Sequence, residues 1–214
     1  MFIVIEGCDG AGTTTQTQLL WEALRERKLP CAKTAEPSTG PIGSLIRQVL
    51  SRRVGLVRNH KLEPLTDETL AALFAADRLD HLANEVESDL KWRTVICDRY
   101  LHSTLAYQCK PGDYQWALDL NAKARVPDVT FYVRVDAATA IARVQSRGER
   151  PDIMDGGDKI RATVERYDAA MGELIKRGHH IVAVDGSAPA KQVHATILAQ
   201  VIKMQEGLRL LTST

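Results

Sequence analysis

Phe2-Ile3-Val4-Ile5-Glu6-Gly7-Cys8-Asp9-Gly10-Ala11-Gly12-Thr13-Thr14-Thr15-Gln16 is the stretch that decides the fold. A short apolar run enters a glycine-rich turn, and the turn opens an amphipathic segment. Glycines let the backbone turn there, and unpaired N–H groups at a helix start hold an anion. Gly7 and Gly12 have the spacing of G-x-x-x-x-G-K-[ST], with Gly10 and Ala11 between them and Thr14 in the hydroxyl position that meets Mg²⁺. Thr15 follows, and Thr13 stands at the lysine position. Taken alone, the glycine spacing also fits a strand–helix turn that binds nothing.

The same alternation repeats along the chain. Cys31–Thr34, Thr94–Cys97, Val129–Val135 and His180–Val184 read as further short strands, rich in β-branched or aromatic residues and bounded by turns. Helical patterns fall between them, roughly over residues 14–28, 42–52, 67–90, 137–147, 159–176 and 189–206. This order predicts an α/β fold, a three-layer α/β/α arrangement with a five-stranded parallel sheet. The expected organisation is a single domain over residues 1–214. Residues 56–63 read as a surface loop, and residues 147–158 as a mobile, arginine-bearing lid.

Size and charge narrow the function. A chain of 214 residues, 44% hydrophobic, supports one well-buried core. A net charge of +1 gives no global field toward nucleic acid or an acidic membrane. Cys8, Cys31, Cys97 and Cys109 form no C-x-x-C pair, and the six histidines show no ligand spacing. With no signal-like or membrane-length apolar run, the expected location is the cytoplasm.

Six further stretches carry a resemblance. They are Glu36-Pro37, Phe74-Ala75-Ala76-Asp77-Arg78, the run Asp98-Arg99-Tyr100-Leu101-His102-Ser103-Thr104-Leu105-Ala106-Tyr107-Gln108, Pro127-Asp128, Arg143 with Arg147-Gly148, and Val184-Asp185-Gly186-Ser187. With the phosphate loop and its Asp9, in this order, the chain resembles the thymidylate kinase family from first strand to last helix. The resemblance implies transfer of a phosphoryl group from ATP to dTMP with Mg²⁺, a cytoplasmic homodimer, and no nucleic-acid or membrane partner. It also leaves two other readings in view: a kinase for another nucleoside monophosphate, and a catalytically weak nucleotide-binding homologue.

The resemblance assigns roles residue by residue. Phe74 stacks on thymine and Arg78 bonds its edge; Thr104, Tyr107 and Gln108 read the base and crowd the sugar 2′ position. Pro37 borders the same pocket, Arg99 clamps the dTMP phosphate, and Asp9 borders sugar and phosphates. Arg143 lies flat on adenine and Asp185 turns the chain beneath it. Arg147 and Arg150 act over the transferring phosphate. Elementary chemistry agrees with several of these. The nucleophile is an anionic phosphate oxygen, so positioning and charge screening matter more than a general base. Asp98 ends an apolar strand, where a carboxylate suits Mg²⁺ or its waters and equally suits a helix N-cap. Phe74 and Arg78 share a helix face, which fits a base pocket and also fits a core phenylalanine beside an ion-paired arginine. Cys8 reads as a small filler.

Two departures remove positive charge near the phosphates: Thr13 for lysine, and Ala35 where the family usually has arginine. Arg147, Arg150 and Arg134 are the candidate replacements. Arg134 stands near the end of the fourth strand, where the family often has an acid, and an ion pair with Asp136 or Asp98 explains it as well as a phosphate does.

Overall fold

In the computed structural model, which describes residues 1–58, 61–146 and 157–212, strands and helices alternate as the pattern predicts. The order begins β1 (Phe2–Glu6), α1 (Thr13–Glu26), β2 (Cys31–Ala35), α2 (Pro41–Leu50), β3 (Leu56–Arg58) and β4 (Lys61–Glu63). It continues with α3 (Asp67–His81), a π-helical turn (Leu82–Val86), α4 (Glu87–Leu90), β5 (Thr94–Asp98), α5 (Leu101–Gln108) and α6 (Gln115–Leu120). The last elements are β6 (Val129–Arg134), α7 (Ala137–Ser146), α8 (Gly157–Lys176), β7 (Ile181–Asp185) and α9 (Ala190–Thr212).

Five strands form one parallel sheet in the order β2-β5-β1-β6-β7. β1 and β5 are buried at every position, which is why they read as apolar runs rather than alternating ones. Alternate residues still serve opposite faces. Ile3, Ile5 and Ile96 cluster with Leu20, Leu24, Ile197 and Val201 of α1 and α9. Phe2, Val4, Val95 and Cys97 cluster with Leu82, Leu105 and Leu174 on the other side. The sheet is thus flanked by helices on both faces, the expected three-layer arrangement.

Two local expectations need correction, and a third falls mostly outside the described residues. Residues 56–63 hold the antiparallel strands β3 and β4, paired Leu56↔Glu63 and Val57↔Leu62, rather than a plain loop. The run over 67–90 is interrupted by the π-helical turn at Leu82–Val86. The lid expected over 147–158 lies mostly outside the described residues, and Gly157 and Asp158 already belong to α8. Among the described residues, no helix is long and apolar enough to cross a membrane.

Candidate active site

The order of the sheet brings the C-terminal ends of β1 and β5 side by side, with Ile5 opposite Asp98. Ligands of open α/β sheets bind beyond such ends. From β1 the chain turns through Gly7–Gly12 into α1. Gly10 and Gly12 have φ of 84° and 97°, the left-handed region that favours glycine. A side chain at Gly10 would also meet the Ala140 carbonyl at 2.5 Å, so α7 packs directly on the loop. α1 starts at Thr13 with no side-chain cap and no acid in its first turn. Its orphan N–H groups and positive dipole end are left for an external anion. Thr13 itself is buried.

At the end of β5, Asp98 accepts a hydrogen bond from Thr14 Oγ1 at 2.5 Å on Oδ2, while its Oδ1 is buried with no hydrogen-bond partner. This decides between the two readings of Asp98: it faces the phosphate loop, not a helix start. A hard carboxylate oxygen left unpaired beside a threonine hydroxyl fits a Mg²⁺ ion or its waters. Arg99 follows with φ 69°, a left-handed backbone rare outside glycine. Its Nη2 donates to Asp9 Oδ1 at 2.5 Å, and its Nη1 donates to the Gly7 carbonyl at 3.0 Å. The acid inside the anion-binding loop is therefore matched by the cation of the next strand.

A cavity of about 240 Å³ opens beside this pair, lined by Asp9, Pro37, Phe74, Arg78, Asp98, Arg99, Thr104, Tyr107 and Gln108. Every residue assigned to the acceptor pocket from sequence meets there. Phe74 is half-buried on the cavity wall rather than sealed in the core. Arg78 pairs with neither Asp77 nor a neighbour on its helix. Its Nη2 lies 2.7 Å from Glu36 Oε2, at an angle short of a proper hydrogen bond, and its Nη1 donates to Asn121 Oδ1 at 2.5 Å. Its guanidinium also sits 4.9 Å over the Tyr100 ring, and its Nε remains buried without a partner. Asp77 instead accepts from the N–H and hydroxyl of Ser38, anchoring the loop after β2. Sequence reasoning missed Leu50 and Tyr100 as wall residues and Asn121 as the acceptor that orients Arg78.

On the other side of the loop, a cavity of about 260 Å³ is lined by Gly10, Ala11, Gly12, Thr15 and Arg143, as expected, and also by Gln16, Ser146, Gly186, Ala188, Ala190 and Val193. Arg143 Nη1 donates to the Gly186 carbonyl at 2.9 Å, which holds the guanidinium at the rim. Asp185 does not line this cavity; its carboxylate accepts from Ser187 N–H and shapes the turn. Gly186 has no room for a side chain, since a Cβ would lie 2.7 Å from Val133.

The candidate replacement cations divide. Arg134 is bound at both ends of its fork to Asp168 of α8, at 2.8 Å each, and Tyr132 donates to the same carboxylate at 3.0 Å. Its ion-pair partner is therefore Asp168, not Asp136 or Asp98; those two accept from Thr139 and Thr14. Arg147 and Arg150 lie outside the described residues. Ala35 leaves open a third cavity of about 340 Å³ with Thr14, Asp98 and Lys33, but the Lys33 ammonium bonds Gln18 and lies 4.9 Å over the Trp21 ring. Burial, with the Asp9 charge adding to it, pushes the Cys8 thiol up to about 11, so it is a neutral filler at pH 7.

A parallel α/β sheet, an uncapped phosphate loop and a cavity on each flank define a phosphate-loop nucleotide-binding protein of the kinase type. The family model described as thymidylate kinase matches residues 5–197. The chain belongs to the thymidylate kinase family. It is 36% identical over 199 residues to a probable thymidylate kinase of Methanocaldococcus jannaschii, covering 92% of this chain and 94% of that protein. It is 33% identical over 203 residues to a probable thymidylate kinase of Thermococcus kodakarensis, covering 93% and 96%.

Proposed function

We propose that this chain transfers the γ-phosphoryl group of ATP to the 5′-phosphate of dTMP, giving ADP and dTDP. The observation that carries the reading is the phosphate loop with a separate cavity on each side and Asp98, Thr14 and Arg99 between them. An oxygen of the dTMP phosphate attacks the γ-phosphorus, a new P–O bond forms, and the bond to the β-bridging oxygen breaks as ADP leaves. The attacking oxygen is already anionic, so the chain's task is to hold two polyanions in line.

In this reading Gly7, Gly10, Ala11, Gly12, Thr13, Thr14 and Thr15 hold the ATP phosphates, with Arg143 against the adenine and Asp185 shaping the turn below. Thr14 and Asp98 hold Mg²⁺, which when bound neutralises phosphate charge. Phe74 stacks on thymine, the unpaired Arg78 Nε offers its edge a donor, and Pro37, Thr104, Tyr107 and Gln108 enclose base and sugar. Arg99, already beside Asp9, grips the acceptor phosphate with a planar fork. Arg147 and Arg150 supply the charge that Thr13 does not. The active form is a cytoplasmic homodimer.

The test compares kcat/KM with ATP across dTMP, dUMP, UMP and CMP. The expected result is dTMP highest, with UMP and CMP at least a hundredfold lower. Turnover of UMP or CMP equal to that of dTMP would overturn the assignment.

A further inference from the structure

Tyr167 has no role in the reaction as described, yet it is completely buried and its hydroxyl lies against Arg99. It comes from α8, and its hydroxyl reaches three groups: Glu6 Oε2 at 3.1 Å, Ser103 Oγ at 2.8 Å and Arg99 Nη1 at 3.1 Å. Its ring is fixed from two sides, stacked on Tyr132 at 5.9 Å and edge-on to Tyr107 at 5.8 Å. A phenol held this way has one proton to give and no freedom to turn aside.

The direction of that proton follows from the neighbours. Glu6 is fully buried at the end of β1, immediately before the phosphate loop, and accepts from the N–H groups of Tyr100 and Ser103 at 2.7 and 3.1 Å and from Ser103 Oγ at 3.0 Å. Burial opposes its charge, but His102, Arg99 and the Tyr100 N–H together hold its carboxyl below the ordinary value. An ionised carboxylate only accepts, so the Tyr167 and Ser103 protons are shared toward Glu6, and the Tyr167 proton points to the Glu6–Ser103 side. Its oxygen is then left to accept from Arg99, which only donates. The Arg99 Nη1 edge is thus pinned by the Gly7 carbonyl, Tyr107 and Tyr167, and its Nη2 by Asp9.

We infer that Tyr167 is a positioning residue, whose hydroxyl, anchored on Glu6 and Ser103, fixes the Arg99 guanidinium in the orientation that receives the acceptor phosphate. The inference rests on the reading of Arg99 as the phosphate clamp. Preorganised charge is effective because it does not have to be reoriented when substrate arrives.

Tyr167→Phe removes the hydroxyl and keeps the ring. The expected result is a tenfold weaker dissociation constant and KM for dTMP, with thymidine binding and the KM for ATP unchanged, because thymidine has no phosphate for Arg99 to hold. Tyr132→Phe, which removes the neighbouring phenol of the same stack, leaves all of these within twofold. Arg99→Ala separates the two levels of the argument. If it weakens dTMP but not thymidine while Tyr167→Phe matches wild type, Arg99 remains the clamp and the positioning role is wrong. If Arg99→Ala itself leaves dTMP binding intact, the clamp reading fails first. Equal weakening of dTMP and thymidine in Tyr167→Phe would mark a structural effect and also overturn the inference.

Discussion

The residue with the largest consequence is Thr13. A phosphate loop without its lysine lacks a charge-stabilising donor worth about 3 kcal/mol of transition-state stabilisation, or about a hundredfold in rate. Arg99 and Arg143 are already bonded to the Gly7 and Gly186 carbonyls. Arg134 is more than half exposed, but both arms of its fork are occupied by Asp168. Releasing it toward a phosphate would strip Asp168 of its cation. Arg147 and Arg150 therefore carry the expectation. Arg147→Ala or Arg150→Ala lowers kcat by about a hundredfold, whereas Arg134→Ala stays within a few-fold of wild type. Single-turnover rates for the three variants check this. Three near-wild-type values would mean that no arginine substitutes for the lysine, and a collapse in Arg134→Ala alone would move the charge to β6.

Among the elements, α8 does the most joining. Tyr167 reaches the acceptor side through Arg99, and the next residue, Asp168, reaches β6 through Arg134 and Tyr132. The Arg134 hydrogen bond, aided by Tyr132 and opposed by partial burial, holds the Asp168 carboxyl below its ordinary value. A depressed folded-state value means that the stabilisation is present above the unfolded value of about 3.9. It disappears as pH falls through the lower folded value. The pair is substantially solvated, so its contribution is below about 1 kcal/mol. Urea unfolding of Asp168→Asn is expected to show a small loss against wild type at pH 7 that closes as the pH falls below 3.9. A gap that persists or widens in acid would assign the loss to packing.

How far these elements were legible depended on range. The sheet strands read correctly because buried parallel strands are local apolar runs between turns. β2, β5 and β7 each extend one residue beyond the expected end, to Ala35, Asp98 and Asp185, because pairing with a neighbouring strand carries the ladder past the apolar run. The Leu56–Glu63 strands and α6 are short and weakly patterned. The partners of Arg78 and Arg134 could not be read at all. Glu36, Asn121 and Asp168 meet those guanidinium groups only after the sheet order is set, and no local spacing encodes that.

At the scale of the molecule, the loop divides the site into two separately braced halves. The cavity beside Asp9 draws on α2, α3, α5 and the loop after β2, and the cavity beside Arg143 on α1, α7 and the segment from β7 into α9; among the described residues none lines both. Around the first cavity Arg78 is braced on Glu36 and Asn121, and Arg99 on Asp9 and Tyr167. Around the second, Arg143 is braced on Gly186. Two independently braced pockets are expected to bind their nucleotides in either order. A ligand at a hundred times its dissociation constant adds about 2.7 kcal/mol to stability, which for a domain of this size raises Tm by about 5–10 °C. Thermal melts with dTMP alone, with ADP alone and with both are expected to show a rise for each single nucleotide and a larger rise for the pair. If ADP gives no shift until dTMP is present, the donor pocket is not preformed but assembled by the acceptor, and order of binding becomes part of the mechanism.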